Sequence, residues 1–119
     1  MKTEEPANQP LTPPVFQTLL SLADGEKHGY AILKDVEEHS GGEVQLSTGT
    51  LYAIIKRLLS EGLIAECKNR PRAEEEDQRR RYYRLTPKGR AVATAEVERM
   101  ERLVARAYDR KLAKKSRLA

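Results

Sequence analysis

The residues best suited to do chemistry cluster in ten positions, Ser47–Lys56 (STGTLYAIIK). Ser47, Thr48 and Thr50 bring hydroxyls, Gly49 brings minimal bulk, Tyr52 a phenol and Lys56 a cation. Ser47 is a good N-cap, because a serine oxygen can accept one of the backbone N–H groups that a helix start leaves unsatisfied. A helix begun there carries Thr48, Gly49, Tyr52, Ala53, Lys56 and Ser60 opposite an apolar face of Leu51, Ile54, Ile55, Leu58 and Leu59. A recognition helix entering a major groove ~12 Å wide needs small residues and hydrogen-bond donors of this kind near its N-terminus. The same hydroxyls, with the free N–H groups of the first turn, can hold phosphate. The competing reading is a capped helix with a plain solvated face, in which Tyr52 packs under a neighbouring hairpin.

A second set is basic. Arg70 and Arg72 precede, and Arg79, Arg80 and Arg81 follow, the acidic run Glu74-Glu75-Glu76-Asp77. Arginine suits phosphates and narrow A·T minor grooves, whereas the acidic run would be repelled. Contact is therefore expected at the strand-proximal arginines, and the tip reads as a self-neutralising loop. Other chemistry is poorly supported. His28, His39 and Cys67 are the soft metal-ligand candidates, and no CxxC, HxH or HExxH spacing joins them. No metal site, no Ser/His/Asp set and no Gly-rich phosphate loop is expected, so neither is a cofactor or an enzyme.

The elements that must position these residues follow from periodicity. Thr12 caps a first helix with Pro13 and Pro14 in its first turn, where no N–H is needed, and Val15, Leu19 and Leu22 form its face with Phe16 and Leu20. A second helix opens near His28, striped by Tyr30, Leu33 and Val36 with Ala31 and Ile32 alongside, and stops at Ser40-Gly41-Gly42. Glu43–Leu46 reads as a minimal strand. The Ser47 helix ends at Gly62. Leu63–Lys68 and Arg79–Leu85 read as the strands of a long-tipped β-hairpin. Thr86 caps a last helix, with Pro87 at its first position and Ala93, Val97, Met100, Val104 and Ala107 at three-four spacing, widened by Leu103, Tyr108 and Leu112. This order is that of a winged helix-turn-helix: a mainly α domain with a small β-hairpin, followed by a long C-terminal helix.

Composition bounds the reading. The 119 residues suit one small domain, with 39 % hydrophobic and 34 % charged residues. So small a core is expected to be completed against a second copy. The longest uncharged stretch, Gln9–Ala23, is too short for a bilayer and holds three prolines. No membrane partner and no signal peptide are expected, and the single cysteine suits a reducing cytoplasm. The net charge of +4 is unevenly spread. Residues 1–77 hold 8 Lys/Arg against 14 Asp/Glu, a net of −6, and residues 78–119 hold 14 against 4, a net of +10. Such asymmetry points to an anionic partner such as nucleic acid or a membrane surface, or to a solvated basic helix. On the last helix Arg99, Arg102, Arg106 and Arg110 are partly offset by Glu98, Glu101 and Asp109, which favours the solvated face of a dimer helix.

At Lys27-His28-Gly29-Tyr30, Ser47-Thr48-Gly49-Thr50-Leu51-Tyr52, Arg57-Leu58, Glu61-Gly62-Leu63-Ile64 and Arg81–Arg90 (RYYRLTPKGR), the chain resembles the PadR family of transcriptional regulators, in its short form with one C-terminal helix. The resemblance spans about residues 12–112. It implies a cytoplasmic homodimer that binds double-stranded operator DNA and represses a neighbouring gene, with the last helix forming the dimer and the first assisting. With the polar, aperiodic residues 1–10 read as a disordered arm, the chain is expected to divide into that arm, a DNA-binding domain at 11–88, and a dimerisation helix with a basic tail at 89–119. Ser47, Thr48, Gly49, Thr50, Tyr52, Lys56 and Arg57, with Arg79, Arg80 and Arg81 of the wing, become the expected DNA contacts on a palindromic site. Family members respond to small aromatic or lipophilic compounds. An effector is expected where the first and last helices of two subunits meet, at Val15, Phe16, Leu19, Met100, Leu103 and Val104. The alternative is a winged-helix protein-interaction module, which should show large apolar groups on the outer face of the Ser47 helix.

Overall fold

The structure, a computed structural model, describes residues 10–67 and 81–114. The element order is α1 (Pro13–Ser21), β1 (Lys27–His28), α2 (Gly29–His39), α3 (Thr48–Ser60), β2 (Ile64–Glu66), β3 (Tyr82–Leu85) and α4 (Pro87–Asp109). Each helix is started by a side chain that accepts a first-turn N–H: Thr12 from Val15, His28 from Ala31, Ser47 from Thr50 and Thr86 from Gly89. Prolines occupy the opening of α1 and α4, as their fixed φ and missing N–H allow. Gly62, at φ +76°, provides the left-handed turn that ends α3.

The core unites Val15, Leu19 and Leu22 with Ile32 and Val36 of α2, Leu51, Ile55 and Leu58 of α3, and Leu63, Ile64, Tyr83 and Val92. On α1 the expected Val15, Leu19 and Leu22 are buried, whereas Leu20, expected beside them, stands 48 % exposed and Phe16 is half-buried. The α2 face is not the one its spacing predicts: Ile32 and Val36 point inward while Tyr30 stands 53 % exposed, so the stripe is rotated from Tyr30 toward Gly29 and Ile32. On α3, Leu59 likewise turns to the surface.

The sheet is antiparallel in the order β1-β3-β2, and Tyr83 stands opposite Lys27 on one side and Glu66 on the other. Glu43–Leu46, expected as a strand, is a loop closed on Ser40, whose hydroxyl accepts the Val44 N–H at 3.0 Å. The sheet consists of β3 flanked by β1 and β2, and Glu43–Leu46 is not one of its strands.

The start of α4 is locked to the end of α3. The Thr86 hydroxyl donates to the Gly62 carbonyl (2.7 Å), the Thr86 N–H to Leu63 O (3.1 Å), and Lys88 Nζ to Glu61 O (3.1 Å). Gly89 is buried here, and a Cβ on it would overlap the Leu63 carbonyl oxygen. The protomer core takes Gly89, Val92 and Glu96 from α4, a face about a quarter-turn away from the Ala93–Val97–Met100–Val104 line. That line is mostly outside: Val97, Leu103 and Val104 are exposed, and Val97, Met100, Val104 and Tyr108 share a shallow open groove.

Glu96 is a buried carboxylate that the apolar periodicity passed over. Arg99 grips it with two hydrogen bonds, Nε to Oε1 at 3.0 Å and Nη2 to Oε2 at 2.6 Å. Those bonds hold its carboxyl below the usual range against the opposing effect of burial, with smaller help from the Arg99 charge and the Leu11 N–H.

Two predictions follow from this packing. Gly89→Ala must displace the Leu63 backbone, and is expected to lower the unfolding free energy by about 1–3 kcal/mol in denaturant titration. A carboxylate with a depressed native pKa contributes stability above its unfolded value, and that contribution disappears as pH falls through the native value. The melting temperature of the parent should therefore fall on acidification below about pH 4, and Glu96→Gln should start lower at neutral pH and lose less over the same range.

Candidate nucleic-acid interface

The first turn of α3 is an ordered, polar surface. Ser47 Oγ accepts the Thr50 N–H at 3.0 Å and lies 2.9 Å from Thr50 Oγ1, toward which it donates. Ser47 is thereby committed to the cap and to orienting Thr50, which leaves the outward face to Thr48, Gly49, Ala53, Lys56 and Ser60, all exposed. Among the described residues nothing within 4 Å would meet a Cβ on Gly49, so their packing gives no reason for a glycine at that position. Lys56, two turns further along, has no ion-pair partner among the described residues. Arg57 differs: its Nε is bonded to Glu61 Oε2 at 3.1 Å, which draws it toward the helix C-terminus.

Tyr52 is corrected by the structure. It does not share the outer face with Lys56; it is half-buried against the core, and its ring and hydroxyl lie over Gly29. A Cβ at Gly29 would collide with that hydroxyl. The cause is the position of α2, whose first turn comes close enough to α3 to take an aromatic ring between them. Tyr83 of β3 also lies in this region, and burial, with a smaller contribution from the Glu66 carboxylate, pushes its phenol up to about 12.

Of the wing arginines, Arg81 is described: it is exposed, and its Nη1 lies 3.7 Å from Glu66 Oε1. Arg79 and Arg80, like Arg70, Arg72 and the acidic run between them, fall outside the described residues, as does the arm at 1–9. Arg84 is exposed on β3. The expected effector pocket is also corrected. Val15 and Leu19 are 5 % and 0 % exposed in the protomer's own core, so they cannot line a cleft between subunits. Phe16 is half-buried, and Met100, Leu103 and Val104 lie on the outward side of α4. Among the described residues no group of His, Cys, Asp and Glu could hold a metal ion, and no helix is long and apolar enough to cross a membrane.

Three helices with a capped third, a three-stranded sheet and a long final helix define a winged helix-turn-helix protein. Residues 18–95 match the model of the transcriptional regulator PadR-like family, and the chain belongs to that family. It is 33 % identical over 81 residues to the transcriptional regulator Rv3488 of Mycobacterium tuberculosis, covering 68 % of this chain and 69 % of that one. It is 40 % identical over 91 residues to an uncharacterised 37.1 kDa protein in transposon TN4556 of Streptomyces fradiae, covering 76 % of this chain. It spans only 24 % of that protein's length. A PadR family transcription regulator from Clostridium difficile superposes with a TM-score of 0.61 at 25 % identity, covering 86 % of this chain and all of the other. The chain thus belongs to a family of transcriptional regulators.

The three helical glycines separate packing from function. Gly29→Ala is expected to lower the melting temperature, because Tyr52 must move. Gly49→Ala should leave it unchanged or raise it, by up to about 1 kcal/mol in stability, since alanine is the better helix former and the space is open.

Proposed function

We propose that this protein is a sequence-specific DNA-binding regulator, acting in the cytoplasm as a homodimeric repressor on a palindromic operator. Residues 11–88 bind DNA, and the helix that follows forms the dimer. The observation that carries this reading is the outer face of α3. Thr48, Gly49 and Lys56 are exposed, small or cationic, and unused by the protomer. A helix inserted in a groove needs backbone close approach at its N-terminal turn, which Gly49 permits, and donors for base edges and phosphate, which Thr48, Thr50 and Lys56 supply. Arg81, exposed at the start of β3, extends this basic surface along the backbone, and Arg79 and Arg80, which precede it in the sequence, are the further wing contacts of this reading. Arg57 contributes by exchanging Glu61 for a phosphate.

Dimerisation is supported by α4. Its groove of Val97, Met100, Val104 and Tyr108 is apolar and open along the helix. Burying a side chain of this kind contributes about 1.5–3 kcal/mol, and an isolated projecting helix is marginal without such cover. A flat apolar effector would have to enter between two copies of this groove, near Met100, Leu103 and Val104. The protein-interaction alternative is disfavoured by the absence of large apolar groups at Thr48, Gly49, Ala53 and Lys56.

Binding should weaken steeply with salt through counterion release. Lys56→Ala and Arg81→Ala are each expected to flatten the slope of log affinity against log salt by about one, read by fluorescence anisotropy. Gly49→Ala should weaken binding while its stability is retained. A parent protein that binds no duplex at low salt would refute the reading. In sedimentation, the parent should run as a dimer and Val97→Glu/Val104→Glu as a folded monomer; a dimer that survives both charges places the interface elsewhere.

A further inference from the structure

The exposed Tyr30 has no role in the protomer core, and its surroundings point to a ligand. Gly29, the residue before it, is buried against Tyr52 of α3. Tyr52 lies one turn after Thr48 and one turn before Lys56, so the first turn of α2 runs beside the turns of α3 that carry the polar outer face. β1 and the His28 cap fix this start: Nδ1 of His28 accepts the Ala31 N–H at 3.1 Å, and Lys27 is held by Asp24 at 2.6 Å. Lys34, one turn after Tyr30, is exposed and on the same face. Its Nζ lies 5.9 Å from the centre of the Tyr30 ring, although Glu37 and Glu38 stand three and four residues further on. Lys34 pairs with neither, nor with any other carboxylate among the described residues. Its ammonium therefore stands beside the ring of an exposed tyrosine, one turn nearer the start of α2.

We propose that Tyr30 and Lys34 form a two-residue clamp for a DNA backbone phosphate beside the groove that α3 occupies. This rests on the DNA-binding reading above and adds a contact that α3 and the wing do not supply. The major groove is walled by phosphates, so an element flanking the inserted helix meets backbone and not base edges. The phenol donates one hydrogen bond to a phosphate oxygen and the ammonium supplies charge. The Tyr30 ring beneath Lys34 holds the ammonium in place. Glu37 and Glu38 confine the contact to the first half of α2, because a phosphate further along would meet two carboxylates. The clamp fixes register on the duplex and carries no sequence preference of its own.

The test uses the full-length protein and a duplex of about 30 base pairs of random sequence, titrated by anisotropy across a salt series. Tyr30→Phe keeps the ring and removes only the hydroxyl; Lys34→Gln removes only the charge. Both side chains are exposed, so melting curves should match the parent. Each variant should bind about three- to tenfold more weakly. Lys34→Gln should lower the salt slope by about one, whereas Tyr30→Phe should leave it unchanged. Parent-like affinity in either variant, while Lys56→Ala is still weakened, overturns the clamp and leaves the α3 reading standing. A parent that binds no duplex overturns both.

Discussion

The junction between α3 and α4 governs the molecule. Four residues, Thr86 to Gly89, tie the first turn of α4 to Glu61, Gly62 and Leu63 through three hydrogen bonds and one contact that only a glycine permits. Because the bonds join the C-terminal end of one helix to the N-terminal end of the other, the two axes are set relative to each other by short-range geometry. Arg90 adds a bond from its Nη2 to Ala23 O at 3.0 Å, which brings the loop after α1 into the same joint. Whatever orients α4 then orients the face of α3. In a PadR-like regulator whose last helix pairs two copies, that joint transmits the dimer geometry to the spacing of two recognition helices.

The rest of the fold divides polar groups by use. Buried ones are satisfied locally: Thr18 donates to Pro14 O, Ser21 to Thr18 O, and Glu96 is held by Arg99. Surface arginines near carboxylates are also occupied, Arg57 by Glu61 and Arg81 by Glu66. Exposed pairs of this kind are worth little in water and can exchange partners when a phosphate arrives. Lys34 and Lys56 are not engaged in that way, which distinguishes two cations ready to meet an anion from those that must first release one.

Much of this was legible in the sequence because its signals are local. Thr12, Ser47 and Thr86 with the prolines at 13, 14 and 87 mark helix starts by chemistry that acts over three residues. The α1 face was legible because its apolar residues fit one line. The α2 face was not, since Tyr30, Ala31, Ile32, Leu33 and Val36 permit two stripes, and only the approach of Gly29 to Tyr52 selects between them. The same ambiguity affects α4, where Val92 and Glu96 face the protomer and the more regular line leaves it after Ala93, at Val97, Met100 and Val104. The effector site was misplaced for another reason: Val15 and Leu19 were correctly read as an apolar face, but the protomer's own core uses that face up. β1 is two residues long and has no periodicity to read; it exists because β3 has an edge to offer. Gly49 could be assigned to the outer face from spacing, but the open space above it is set by how the other elements pack around α3 and is not a local property.

The most direct test of the account is selection of bound duplexes from a random pool by the purified full-length protein. If α4 pairs two copies and the α3–α4 joint is rigid, the recovered sequences should converge on an inverted repeat whose half-site centres lie about one helical turn, ~34 Å, apart or a multiple of it. Recovery of a pool with no enriched sequence, or of a single half-site without a symmetry mate, would contradict it.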